Sequence, residues 1–107
     1  MITYNKLVRD HIPQIIEASG KSYEVKILDD SAYEEALKAK LIEEMNEVHS
    51  AQSDEELIEE LADLYEVLRS LVAAKGLSDE QFMNVVNSKK EKRGSFSEKL
   101  FLVQVSK

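Results

Sequence analysis

Residues 40–66 read KLIEEMNEVHSAQSDEELIEELADLYE, and the fold turns on how this stretch divides. Ser53-Asp54-Glu55-Glu56 has the form of a capping box, in which a hydroxyl and a glutamate three residues on satisfy the first free N–H groups of a helix. One helix therefore ends near Ala51 and another opens at Ser53. Upstream, Ser31-Ala32-Tyr33-Glu34 has the same form and opens the first of the two. Downstream, the second reaches Lys75 and Gly76 stops it. At about 100° per residue, Leu37, Leu41, Met45 and Val48 fall within roughly a quarter of the first helix and form its core face. On the second, Leu57, Ile58, Leu61, Leu64, Tyr65, Leu68, Leu71 and Val72 make a continuous apolar stripe. The very short turn between them predicts an antiparallel helix hairpin.

The flanks extend this picture. Asp10 is placed to cap a short first helix with Pro13 in its first turn, where a missing N–H costs little, and Gly20 as its stop. Ser78-Asp79-Glu80-Gln81 is a third capping box, opening a helix to about Arg93 that is again followed by glycine, Gly94. Tyr23 to Leu28 alternates in part and reads as a short strand or extended segment. Leu100 to Val105 looks like a strand that pairs with it. Three glycines and one proline in 107 residues favour long helices over a turn-rich β fold. The expectation is a single, mainly α domain over 1–107, a helical bundle built on a central antiparallel hairpin with short peripheral extended segments. The absence of cysteine excludes disulfides, thiolate zinc sites and a cysteine nucleophile. The N-terminus lacks the apolar run of a signal peptide, and no stretch approaches ~18 apolar residues, so a cytoplasmic protein with no membrane partner is expected.

The chain carries 21 acidic and 14 basic residues, a formal charge of −7, and its pI is near 4.8. That argues against a nucleic-acid polymer as ligand, because phosphate-backbone binding needs a net basic face. The charge is unevenly placed. From Asp29 to Glu66 there are 14 acidic residues against Lys38 and Lys40, or −12, and the rest of the chain holds 7 against 12, or +5.

Most of these glutamates read as an ordinary solvated helix face: Glu35, Glu55, Glu56, Glu59 and Glu66. Glu44 does not. It projects about 20° from Leu37, on the apolar side, where a carboxylate costs several kcal/mol unless a cation compensates it. Glu47 lies at the edge of that arc and Glu43 a little further round. On the other helix Glu60 borders the apolar stripe, with Asp63 one turn on. Closing the hairpin brings Glu44 and Glu47 towards Glu60 and Asp63, and no lysine or arginine stands at the opposing positions of either helix. The counterion expected for such a group is a hard divalent metal with oxygen ligands. Mg²⁺ fits best, since it keeps several waters and bridges carboxylates to phosphates, and Mn²⁺ could replace it.

Glu43-Glu44-x-x-Glu47 followed by Glu60-x-x-Asp63 resembles the metal-binding signature of the all-α nucleoside triphosphate pyrophosphohydrolase superfamily, which includes MazG-like enzymes. Four blocks in order resemble its phosphoribosyl-ATP pyrophosphohydrolase-like branch: Tyr4-Asn5-Lys6-Leu7-Val8-Arg9-Asp10 with Ile12-Pro13, Lys40-Leu41-Ile42-Glu43-Glu44, Glu59-Glu60-Leu61-Ala62-Asp63, and Lys92-Arg93-Gly94-Ser95-Phe96. The resemblance implies hydrolysis of a nucleoside triphosphate between its α and β phosphates, to a monophosphate and pyrophosphate. It implies that Glu44, Glu47, Glu60 and Asp63 hold Mg²⁺, with Glu43 as a further ligand or as the base that orients water. It also implies sites completed by a neighbouring subunit.

A triphosphate at an acidic centre still needs cations on its far oxygens. Lys6 and Arg9 at one end of the chain, and Lys89, Lys92 and Arg93 at the other, are the available donors, while lysines in a last helical turn also suit the helix terminus. Asn84 and Asn87, one turn apart, could reach a base or sugar. His49, near the end of a helix, reads as structural, His11 has no assigned role, and Tyr4, Tyr23 and Phe96 are aromatic rings for stacking or packing. The chain lacks the histidines and extra motifs of a histidine-pathway enzyme, so the branch label assigns no substrate. Ile58, Tyr65 and Val72 repeat at period seven beside the main stripe, which predicts a homo-oligomer, a dimer or dimer of dimers. Two alternatives stand beside the nucleotide-pool enzyme: the same site acting on phosphoribosyl-ATP, and a helical interaction module without catalysis.

Overall fold

A computed structural model describes residues 2–107. Four helices follow one another, α1 (Ile12–Ala18), α2 (Asp30–Ser50), α3 (Asp54–Ala74) and α4 (Asp79–Arg93), and there is no strand among the described residues. α2 and α3 are 21 residues each, about 31 Å at 1.5 Å per residue. They are joined by only three residues and pack closely. An ion pair between Glu34, near the start of α2, and Lys75, just past the end of α3, shows that they run antiparallel.

The local signals act largely as the sequence requires. Ser53 accepts the Glu56 N–H, and Ser78 and Gln81 form a complete capping box. Gly20 and Gly76 close α1 and α3 in Schellman geometry. At each end, the glycine N–H and the one after it reach back to successive carbonyls, and φ near +85° suits glycine. Two caps differ from expectation. α2 opens at Asp29, whose carboxylate accepts the Ala32 N–H, so the acid two residues before Ser31 wins the cap. α1 has His11 at its N-cap with no side-chain bond, and Asp10 does not cap it, although Pro13 does lie in the first turn.

The expected strands are absent as strands. Residues 21–29 and 100–107 have no regular secondary structure, and neither Tyr23–Leu28 nor Leu100–Val105 makes a backbone–backbone hydrogen bond among the described residues. The core is thin. Among the described residues Leu37 is the one apolar side chain that is buried, at 2% exposure, and Leu41, Val48, Leu57, Leu64, Val67, Leu68, Leu71 and Val72 are half-buried along the hairpin. Met45, expected on the core face, is 51% exposed, and Ile58, Leu61 and Tyr65 are open as well. On α4 only Phe82 is half-buried, and from Met83 onwards every residue is exposed. No helix among the described residues is long and apolar enough to cross a membrane.

Candidate metal centre

The centre lies midway along the hairpin, where the acidic turns of the two helices face each other. Glu44 of α2 is buried, at 8% exposure, and Glu60 and Asp63 of α3, half-buried, present their carboxylates from successive turns of one face. One oxygen from each of the three lies within 4.8 Å of the others. The geometry thus brings together three of the four carboxylates expected to hold a metal. Glu47 is exposed and stands outside this group, close enough for its charge to act on Glu60.

Cations meet the cluster from two directions. Lys40, on α2 itself, lies 3.3 Å from Glu43 and 3.7 Å from Glu44. This corrects the expectation that the carboxylates lack a basic partner. The i, i+3 and i, i+4 spacing of Lys40 to Glu43 and Glu44 was the signal that would have found it. The N-terminal segment supplies the other two. Arg9 Nη2 donates to Asp63 Oδ1 at 2.7 Å, and Lys6 Nζ lies 3.5 Å from Glu43 with its ammonium over the Tyr4 ring. Lys6, Arg9 and Lys40 thus offset part of the negative charge that the carboxylates bring together.

These contacts set the protonation of the site. Burial pushes the Glu60 carboxyl above its ordinary value, and the charges of Glu47, Asp63, Glu44 and Glu56 push the same way. Burial also acts to raise Glu43, but its hydrogen bond and charge interaction with Lys40, with Lys6 behind, outweigh that and hold it below the ordinary value. The converging oxygens of Glu44, Glu60 and Asp63 are a fitting donor set for a hard divalent cation, all oxygen and anionic.

The remaining candidates stand apart. Lys89, Lys92 and Arg93 occupy the exposed end of α4 and form no ion pair with the cluster. Asn84 and Asn87 are exposed on the same helix. His11 and His49 are exposed, and neither belongs to the three-carboxylate group.

Over 54 residues, 50% of this chain and 55% of the relative's length, the chain is 43% identical to an uncharacterized protein of Mycolicibacterium smegmatis. The chain thus spans about half the length of the curated relative it matches. No solved structure matches at a significant level. A profile of the phosphoribosyl-ATP pyrophosphohydrolase family matches residues 5–90, from the segment carrying Lys6 and Arg9 through both hairpin helices into α4, and the chain belongs to that family, within the MazG-like all-α superfamily.

Proposed function

We propose that the protein is a Mg²⁺-dependent nucleoside triphosphate pyrophosphohydrolase that cleaves the α–β phosphate bond of ordinary or damaged (deoxy)nucleotides, acting in the cytoplasm to cleanse the nucleotide pool. The observation that carries this reading is the convergence of Glu44, Glu60 and Asp63 within 4.8 Å, rimmed by Lys6 and Arg9. Those three carboxylates, with Glu47 as an outer member, would hold Mg²⁺ or Mn²⁺. The ion supplies neutralisation of phosphate charge and Lewis-acid activation of water.

The chain's own groups account for the rest of the chemistry. Glu43, held in its charged form by Lys40 and Lys6, would accept the proton of the attacking water. The P–O–P bridge then breaks, one phosphorus gains the hydroxyl, and pyrophosphate leaves. Arg9 and Lys6, which pair with carboxylates at the cluster, would donate to the phosphate oxygens of an incoming nucleotide. Lys89, Lys92 and Arg93 would serve the same substrate only from a neighbouring copy, which fits the expected homodimer or dimer of dimers. Asn84 and Asn87 would follow them to a base or sugar. The family's own description favours phosphoribosyl-ATP as the second substrate reading.

A panel of nucleoside triphosphates with phosphoribosyl-ATP included, assayed for pyrophosphate and monophosphate, tests the proposal. Attack in ¹⁸O-water identifies the phosphorus that gains oxygen. Release of orthophosphate in place of pyrophosphate would refute the bond assignment, and no release from any member would leave the interaction module as the better reading.

A further inference from the structure

The largest feature that the metal centre leaves unused is the C-terminal segment. It leaves α4 through Gly94 at φ +79° and turns over Phe96–Lys99, where the Lys99 N–H donates to the Phe96 carbonyl at 3.2 Å. From there it runs to the end without regular secondary structure. In an extended chain, Phe101, Val103 and Val105 share one side, and Leu100 and Leu102 the other. All five are at least 74% exposed. A run that is apolar on both sides is the pattern of a strand covered on both faces, and within one copy neither face is covered.

A matching strip lies before α2. Tyr23, Val25 and Ile27 would share one side of a strand, are 42–99% exposed, and carry backbone groups unpaired among the described residues. The surface area indicates what covers both. The chain exposes 9,891 Å², whereas a compact folded chain of 12.2 kDa exposes about 6,000 Å². Its radius of gyration is 18.3 Å, against roughly 13 Å for a compact chain of this length. The excess of about 4,000 Å² surpasses the roughly 1,000–2,500 Å² that each partner buries in an obligate interface. Folding the segment back on its own chain would not close the deficit, because Ile58 and Tyr65 of α3 and Met83 and Val85 of α4 are open as well.

We propose that Leu100–Val105 is an exchanged arm, which adds as a β-strand to Tyr23–Leu28 of a second copy of this chain and lays its other apolar side on that copy's open ridge of Ile58, Leu61 and Tyr65. Backbone pairing satisfies the free N–H and C=O groups of both segments, and the ridge supplies the second cover. The arm concerns assembly and stands apart from the chemistry of the acidic cluster.

The absence of cysteine makes the test clean. In Val25→Cys/Val103→Cys, a short bismaleimide tolerates a two-residue slip in register, since diagonal cross-strand neighbours are still ~7–8 Å apart. The expected result is a covalent dimer that disappears when Phe101→Glu is added. A cross-link within one chain, or none, overturns the proposal. Sedimentation equilibrium of the full chain should give a multiple of 12.2 kDa, falling towards one in Phe101→Glu/Val103→Glu with helicity retained. A monomer, or an oligomer indifferent to these substitutions, would contradict it.

Discussion

Replacing Glu44 by glutamine keeps the side chain's volume and removes one of three carboxylates that share a 4.8 Å neighbourhood. In chelator, two effects oppose. The variant loses its 3.7 Å pair with Lys40, and it relieves repulsion against Glu60 and Asp63. Lys40 keeps its contact with Glu43, so Glu44→Gln should melt within a few degrees of the parent, the difference being about 1 kcal/mol or less. Metal then separates the two. At a free Mg²⁺ concentration ten times its Kd, linkage stabilises the parent by about 1.4 kcal/mol, or roughly 6–11 °C in Tm for a chain of this length. Glu44→Gln, short of a ligand and of the charge that recruits the ion, should stay nearly flat over the same range. The assay is thermal melting by circular dichroism from chelator upward, at fixed protein concentration because assembly makes Tm concentration-dependent. Sodium chloride at matched ionic strength corrects for screening of the acidic surface. A variant that tracks the parent through the Mg²⁺ titration, or a parent that gains nothing, would refute the assignment of Glu44 as a ligand.

Other substitutions report on neighbouring parts of the structure. Arg9→Ala frees Asp63 Oδ1, so Mg²⁺ should bind more tightly without nucleotide, while kcat/KM on the substrate drops about ten- to hundred-fold for one charged hydrogen bond. Unchanged values of both would contradict the paired role. Leu37→Ala should cost about 2–5 kcal/mol in urea unfolding, and a loss under 1 kcal/mol would show that the hairpin does not depend on its one buried apolar side chain. Hydrogen bonds from Lys75 and Lys38 hold the Glu34 carboxyl below its ordinary 4.5. Its stabilising contribution is therefore complete above pH 4.5 and lost as pH falls through the lower folded value. Glu34→Gln should flatten that acid limb in urea midpoints measured against pH, and an unaltered limb would exclude the pair as its source. Glu60, raised by burial and its acidic neighbours, acts in the opposite sense in chelator: the folded state binds the extra proton, so stability declines as pH rises from 4.5 to the folded value.

What the sequence made legible was local. The helix ends were written in short-range chemistry, the Ser53 and Ser78 hydroxyls and the glycines at 20 and 76, and all four helices lie within a few residues of where those signals put them. Glu44 was legible too, because a carboxylate 20° from Leu37 has to be buried once the hairpin closes. What escaped was contact between distant residues. Arg9 and Asp63 are 54 positions apart and Lys6 and Glu43 are 37 apart, and no periodicity encodes which cation of a basic segment meets which acid. Strand pairing failed for the same reason. The alternation in Tyr23–Leu28 and Leu100–Val105 suggested strands, but alternation does not say what pairs with it, and neither stretch forms a strand. Met45 misled because the helix wheel places it beside Leu41, whereas α3 does not reach far enough round to cover it.

The most direct measurement is pyrophosphate release from nucleoside triphosphates as a function of Mg²⁺, in the parent and in Glu44→Gln and Asp63→Asn with their helicity verified. If Glu44, Glu60 and Asp63 form the working centre, the parent releases pyrophosphate only with divalent metal, and both variants lose the activity at every Mg²⁺ concentration. Release that persists in chelator, or survives in both variants, would show that the hydrolysis takes place elsewhere.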